Sequence, residues 1–253
     1  MSLSDFGRRR FGGIARLYGA AVLERAAAAH VCVVGIGGVG SWVAEALARS
    51  GVGRLTLIDL DHVAESNLNR QIHAVEATLG QAKVLAMQAR IAGINPQCDV
   101  TTIEEFIAPD NVAQLLPACD CVVDAIDQVR PKAALIALCR ERGIAVVATG
   151  AAGGKTDPAQ IRVDDLSRTT QDPLASKLRS TLRRDYGFPR EARKRFGVEC
   201  VYSLEPIRRP TGTDSCDPAP QGLSCAGYGS SACVTGAFGL AAASRALALL
   251  AAG

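Results

Sequence analysis

The chain has nine cysteines in 253 residues but no Cys-x-x-Cys pair. The nearest approach is Cys119-Asp120-Cys121, inside an apolar run that reads as a buried strand. Structural zinc sites need paired ligands at short spacing, so the pattern argues against that class. An odd number of irregularly spaced cysteines, with no secretory leader, reads as reduced thiols and sets the expectation of a cytoplasmic protein. Also lacking are an internal repeat and an unbroken apolar run of bilayer length. The longest candidate, Ser231 to Ala252, is rich in Ala and Gly and is interrupted by Ser244 and Arg245. Its small side chains suit close helix packing, and no integral membrane insertion is expected. Net charge is only +3, too little to argue for nucleic acid by itself, and 48% hydrophobic residues exclude wholesale disorder.

What charge there is lies unevenly. Lys177 to Arg209 holds ten Lys and Arg against Asp185, Glu191, Glu199 and Glu205, and Arg8, Arg9 and Arg10 open the chain. A basic run of this kind is either a solvated face or a contact for phosphates. Up to about residue 150, short β-branched runs alternate with helical patterns, which predicts an α/β fold: a Rossmann-like, mostly parallel sheet with helices on both faces. Strands are expected at His30–Gly35, Arg54–Asp59, Val100–Phe106, Asp120–Asp124 and Ile144–Thr149. A leading helix is expected over Arg16–Ala29, with others at Ser41–Arg49, Gln81–Ile91 and Pro131–Arg142. Residues 1–155 then form a nucleotide-binding domain. Residues 156–253 form a smaller extension of the same unit, with antiparallel short strands at Gln160–Val163 and Glu199–Ser203, a charged helix at Leu174–Arg184 and a final helix. The Gly/Pro/Ser-rich stretch at 210–229 is expected to be a mobile loop.

The chemistry begins where the first strand runs into Gly35-Ile36-Gly37-Gly38-Val39-Gly40 and then a helix. Glycines here permit a tight turn and let backbone approach phosphates, while the helix start offers free N–H groups. Asp59 ends the second strand, where an acid takes ribose hydroxyls. Glycines and acid alone fit a nicotinamide oxidoreductase equally well. Asn67, Asn69, Arg70 and Gln71 then follow within twelve residues of Asp59, and Lys83 after them. A hydride-transfer site has no use for that set, whereas a site that cleaves a triphosphate must hold its charge. Asp127, at the carboxyl edge of the sheet, is placed to hold Mg²⁺ on those phosphates. Gly150-Ala-Ala-Gly-Gly-Lys-Thr misses a P-loop by one residue, because Thr149 stands where its first glycine belongs.

These strings, in this order from Arg16 to about Gly154, resemble the ubiquitin-activating-like adenylating superfamily. The resemblance implies ATP as co-substrate, bound through the glycine turn (Gly35, Gly37, Gly38 and Gly40) and with Asp59 on its ribose. Asn67, Arg70, Gln71 and Lys83 fall on the triphosphate, and Asp127 governs Mg²⁺. Arg16, in Phe-Gly-Gly-Ile-Ala-Arg-Leu-Tyr-Gly, is similar to the arginine that these proteins insert into a partner's site, which implies a homodimer. Arg70, Lys83, Asp127 and Arg16 are the catalytic set so implied. Cys200, Cys216, Cys225 and Cys233 are the candidate acyl acceptors if the chain follows relatives that form a thioester. Further strings (Arg130-Pro-Lys-Ala-Ala, Gln171-Asp-Pro-Leu-Ala-Ser-Lys, Ser224-Cys-Ala-Gly-Tyr-Gly) extend the resemblance to a tRNA-modifying branch, the threonylcarbamoyladenosine dehydratases. That branch implies a tRNA substrate met by the basic segment and a carboxyl-adenylate closed internally to an oxazolone. It also implies a monovalent cation whose ligands no motif places, and a cysteine-desulfurase-system partner, with Cys225 as a contact. The alternative is adenylation of the C-terminal carboxylate of a ubiquitin-like sulfur carrier.

Overall fold

The computed structural model describes residues 5–191, 193–208 and 228–252. Its frame is one seven-stranded sheet of β1 (His30–Val34), β2 (Arg54–Ile58), β3 (Asp99–Ile103), β4 (Cys121–Asp124), β5 (Ala145–Thr149), β6 (Ile161–Asp165) and β7 (Glu199–Ser203), in the order β3-β2-β1-β4-β5-β7-β6. Every neighbouring pair is parallel except β6 with β7, which is antiparallel. Strands β1, β4, β5 and β7 have buried residues on both faces, which is why they read as near-continuous apolar runs.

The two-residue period of each strand divides the core in two. One face carries Val31, Val33, Leu55, Leu57, Cys121, Val123, Val147 and Val201. It is covered by α3 (Gly40–Arg49), α4 (Lys83–Ile94) and α8 (Ala232–Ala252) through Leu47, Met87 and Phe238. The other carries Cys32, Val34, Ile58, Val122, Val146, Ala148 and Cys200 under α6 (Val129–Arg142) and α7 (Pro173–Asp185), with Leu135, Ile136, Leu178 and Leu182 inserted. A short α5 (Val112–Leu115) packs beside α6.

The leading segment differs from expectation. It is two helices, α1 (Asp5–Tyr18) and α2 (Ala20–Ala28), broken at Gly19, whose φ of 95° no helical residue adopts. The final helix lies across α3 so closely that a Cβ on Gly239 would sit 2.6 Å from the Trp42 Cβ and the Val39 oxygen. By length and composition α8 is apolar enough to cross a membrane, yet half of its apolar window is buried inside the protein. Of the stretch at 210–229 only Tyr228 and Gly229 are described; Cys216 and Cys225 lie outside the described residues.

Candidate active site

Strand order reverses between β1 and β4, so the loops leaving these strands diverge and open a crevice at the carboxyl edge. The cavity there measures about 530 Å³, of small-molecule size. Gly35 lies at φ 86° immediately after β1, and a Cβ on it would stand 2.9 Å from the Ala125 oxygen. Helix α3 then starts with no side-chain cap; the Ser41 N–H donates to the Gly37 carbonyl and the Trp42 N–H to that of Val39, so it is the glycine turn before them that faces an anion, at the positive end of the helix dipole.

Asp59 sits just beyond β2 and is 8% exposed. One carboxylate oxygen accepts the Ile36 N–H at 2.6 Å and the other the Asp61 N–H at 2.8 Å. Burial raises its pKa, opposed by Lys83 and by these two N–H groups. The side chain therefore braces the glycine turn and, with about four acceptor positions in all, retains capacity for ribose hydroxyls.

The segment after Asp59 folds into two short 3-10 turns, of which the first, Glu65–Asn67, brings Asn67 to the cavity. The Asn67 side-chain oxygen accepts the Ala64 N–H at 3.1 Å, while its backbone oxygen accepts from Arg70 and Gln71. Arg70 lays its aliphatic stem over Gly38. Its guanidinium donates to the Ser66 carbonyl at 2.6 Å and the Asn69 side chain at 3.0 Å, and its own carbonyl accepts from Trp42 Nε1. Gln71 is buried, and its Oε1 has no partner among the described residues. Lys83 opens α4 with Nζ 2.6 Å from Asp61 Oδ2. Asp127 is exposed on the turn between β4 and α6.

Gly35, Gly37, Gly38, Asp59, Asn67, Arg70, Gln71, Lys83 and Asp127 all line this one cavity. Gly40 does not. A Cβ there would fall 1.8 Å from the Gly35 oxygen, so its part is to let the helix start against the turn. Arg16 is exposed on α1 and does not line the cavity of its own chain. Cys200 is buried within β7, and burial pushes its thiol far above the ordinary range, which does not suit a nucleophile. Cys233 is exposed on α8 but is not among the lining residues. For Mg²⁺, the exposed Asp127 carboxylate beside a bed for phosphates fits the donors that this ion takes, while Asp61, which also lines the cavity, is paired with Lys83.

Sequence reasoning missed several lining residues. Phe106, Ile107 and Ala108 form an apolar wall together with Ile58, and Thr235 of α8 reaches the cavity from 165 positions beyond Arg70. No motif marks either. A shallower groove of about 360 Å³ is lined by Val129 and Arg130 of α6 and by Ser176, Lys177, Ser180, Thr181 and Arg184 of α7. Asp127, Gln128 and Pro131, which flank Val129 and Arg130 in the chain, line the main cavity, so the two adjoin. Much of the basic segment is engaged internally. Arg179 bonds Thr169, Arg183 bonds the Pro189 carbonyl, and Arg184, Lys194 and Arg208 pair with Asp185, Glu191 and Glu205. Arg130 and Lys177 instead line the groove; Arg130 lies within electrostatic reach of Asp185, which Arg184 already pairs.

The ThiF family model matches residues 12–252. The tRNA threonylcarbamoyladenosine dehydratase of Escherichia coli K12 is 52% identical over 97% of this chain and 94% of its own. The crystal structure of the E. coli enzyme in complex with ATP superimposes with a TM-score of 0.91 at 50% identity, covering 100% of this chain and 98% of that one. The molybdopterin-synthase adenylyltransferase of Haemophilus influenzae is 34% identical over 51% of this chain and 53% of its own.

Proposed function

The chain belongs to the ThiF family, and from that premise we propose that it uses ATP to dehydrate N6-threonylcarbamoyladenosine in tRNA, closing an oxazolone ring. The observation that carries this reading is likeness to the E. coli dehydratase over 97% of the chain. Likeness to the molybdopterin-synthase adenylyltransferase stops at about half the chain, so the sulfur-carrier alternative has less support.

Ile58, Phe106 and Ile107 offer the apolar wall for the base and Asp59 the acceptors for the ribose. The glycine turn before α3, Asn67, Arg70 and Lys83 provide donors and positive charge for the triphosphate. Magnesium held by Asp127 would neutralise charge on the phosphates. A substrate carboxylate oxygen, already ionised at neutral pH, bonds to the α-phosphorus while the bond to the bridging oxygen breaks and pyrophosphate leaves. The carbamoyl oxygen then bonds to the activated carbonyl carbon. AMP departs with the former carboxylate oxygen, and the carbamoyl nitrogen loses its proton. With an internal nucleophile no acceptor cysteine is needed, which agrees with the burial of Cys200. Arg130 and Lys177 lie where a nucleic-acid backbone entering the cavity would pass, and take phosphates. Arg16 acts in trans in a homodimer, reaching the triphosphate of the partner's site.

Exchange of labelled pyrophosphate into ATP tests the reading. Stimulation by tRNA that carries the threonylcarbamoyl group is expected; stimulation by a small ubiquitin-like protein instead would favour the sulfur-carrier alternative.

A further inference from the structure

Lys132 is 1% exposed, and it stands near the start of α6, where the helix dipole disfavours a cation. Its ammonium donates to the Asp124 carbonyl, the Ile126 carbonyl and the Asp124 carboxylate, each at 3.0 Å. These use all three donors of a lysine. Asp124 is fully buried, with its other oxygen unpartnered among the described residues. A buried ion pair of this kind is weak evidence for stability, since apolar residues of similar volume are often as stable or more so.

What the pair does hold is backbone. Strand β4 ends at Asp124 and α6 begins at Val129; Ala125, Ile126, Asp127 and Gln128 between them all line the main cavity. Ala125 also donates to the Val34 carbonyl at 2.9 Å, and its own oxygen is the atom that crowds Gly35. Thr149 Oγ1 of β5 donates to the Asp124 carbonyl at 3.3 Å. Lys132 thus gathers the turn that carries Asp127 by the two carbonyls on either side of Ala125, the residue that joins it to the end of β1.

We infer that Lys132 is a positioning residue: through its bonds to the Asp124 and Ile126 carbonyls it sets the turn that aims Asp127 at a phosphate-bound Mg²⁺. This rests on the reading of the cavity as an ATP site. The test is binding of a non-hydrolysable ATP analogue with and without Mg²⁺, by calorimetry, to the wild type, to Lys132→Met and to the double variant Lys132→Met/Asp124→Asn. The double variant removes both charges at once, so it leaves no carboxylate buried and unpaired as Asp124 is in the single variant. The expected result is a loss of about tenfold to a hundredfold in the Mg²⁺-dependent affinity, the range for residues that orient a metal ligand, with metal-free affinity nearly unchanged. Unchanged Mg²⁺-dependent affinity in the folded double variant overturns the inference. Equal loss with and without Mg²⁺ also overturns it, since that is what general collapse of the cavity would give. Failure of the wild type to bind the analogue would instead overturn the ATP reading itself.

Discussion

His73 is 2% exposed, and neither ring nitrogen has a partner among the described residues. Burial lowers its pKa to about 4 from an ordinary 6.5, with Lys83 and Arg90 adding to the effect. The unfolded chain therefore takes up a proton between pH 6.5 and 4 that the folded chain refuses, so stability is full above 6.5 and falls as pH drops through that window. In His73→Phe, denaturant titrations from about pH 7 to about pH 4 should show a shallower fall in stability than wild type; identical slopes would contradict this. The residues that line the cavity were legible only as a set, because Asn67, Arg70, Gln71 and Lys83 each alone read as surface side chains and only their crowding after Asp59 pointed to one site. His73 was not, because its isolation is a property of what packs around it. The same holds for Lys132: the string Arg130-Pro-Lys was visible, but a lysine pointing inward to backbone carbonyls cannot be told in sequence from one pointing out.

At the scale of elements, strands and helices were readable where burial on both faces or on one stripe leaves a periodic trace. The break at Gly19 was missed because an isolated glycine in an Ala-rich helical pattern is compatible with either outcome. The basic segment shows a similar limit. Composition marked Lys177 to Arg209 as a block, whereas the fold ties many of its cations to neighbours and brings Arg130 from α6 to stand with Lys177. Arg130→Ala/Lys177→Ala should weaken tRNA binding and lower the slope of log affinity against log salt by roughly 2, about one for each phosphate no longer neutralised. ATP binding should not change. An unaltered slope would remove these two residues from the phosphate track.

For the whole molecule, the alternation of strand and helix implied a parallel sheet, and the glycine turn implied where its crevice lies. The strand order and the place of α8 were less accessible. Thr235 enters the cavity only because α8 packs across α3, an approach set by small residues such as Gly239 that carry no functional signature. Arg16 poses a question that one chain cannot answer from within, since it lies outside its own cavity. Arg16→Ala and Arg70→Ala should each be nearly inactive alone. If each site takes Arg16 from one protomer and Arg70 from the other, mixing after subunit exchange should recover roughly a quarter of wild-type turnover, because half the dimers then contain one intact site. No recovery on mixing would mean that each site takes both arginines from one protomer, or would remove Arg16 from the site.

The central claim is that ATP cleavage here drives loss of water from one modified nucleoside. It is tested by incubating the protein with ATP, Mg²⁺ and tRNA carrying threonylcarbamoyladenosine, then digesting the tRNA under mild conditions and weighing its nucleosides by mass spectrometry. The account predicts that this nucleoside becomes lighter by one water, only when ATP is present, and that Asp127→Ala abolishes the change. An unchanged nucleoside mass with active, ATP-binding protein would contradict it.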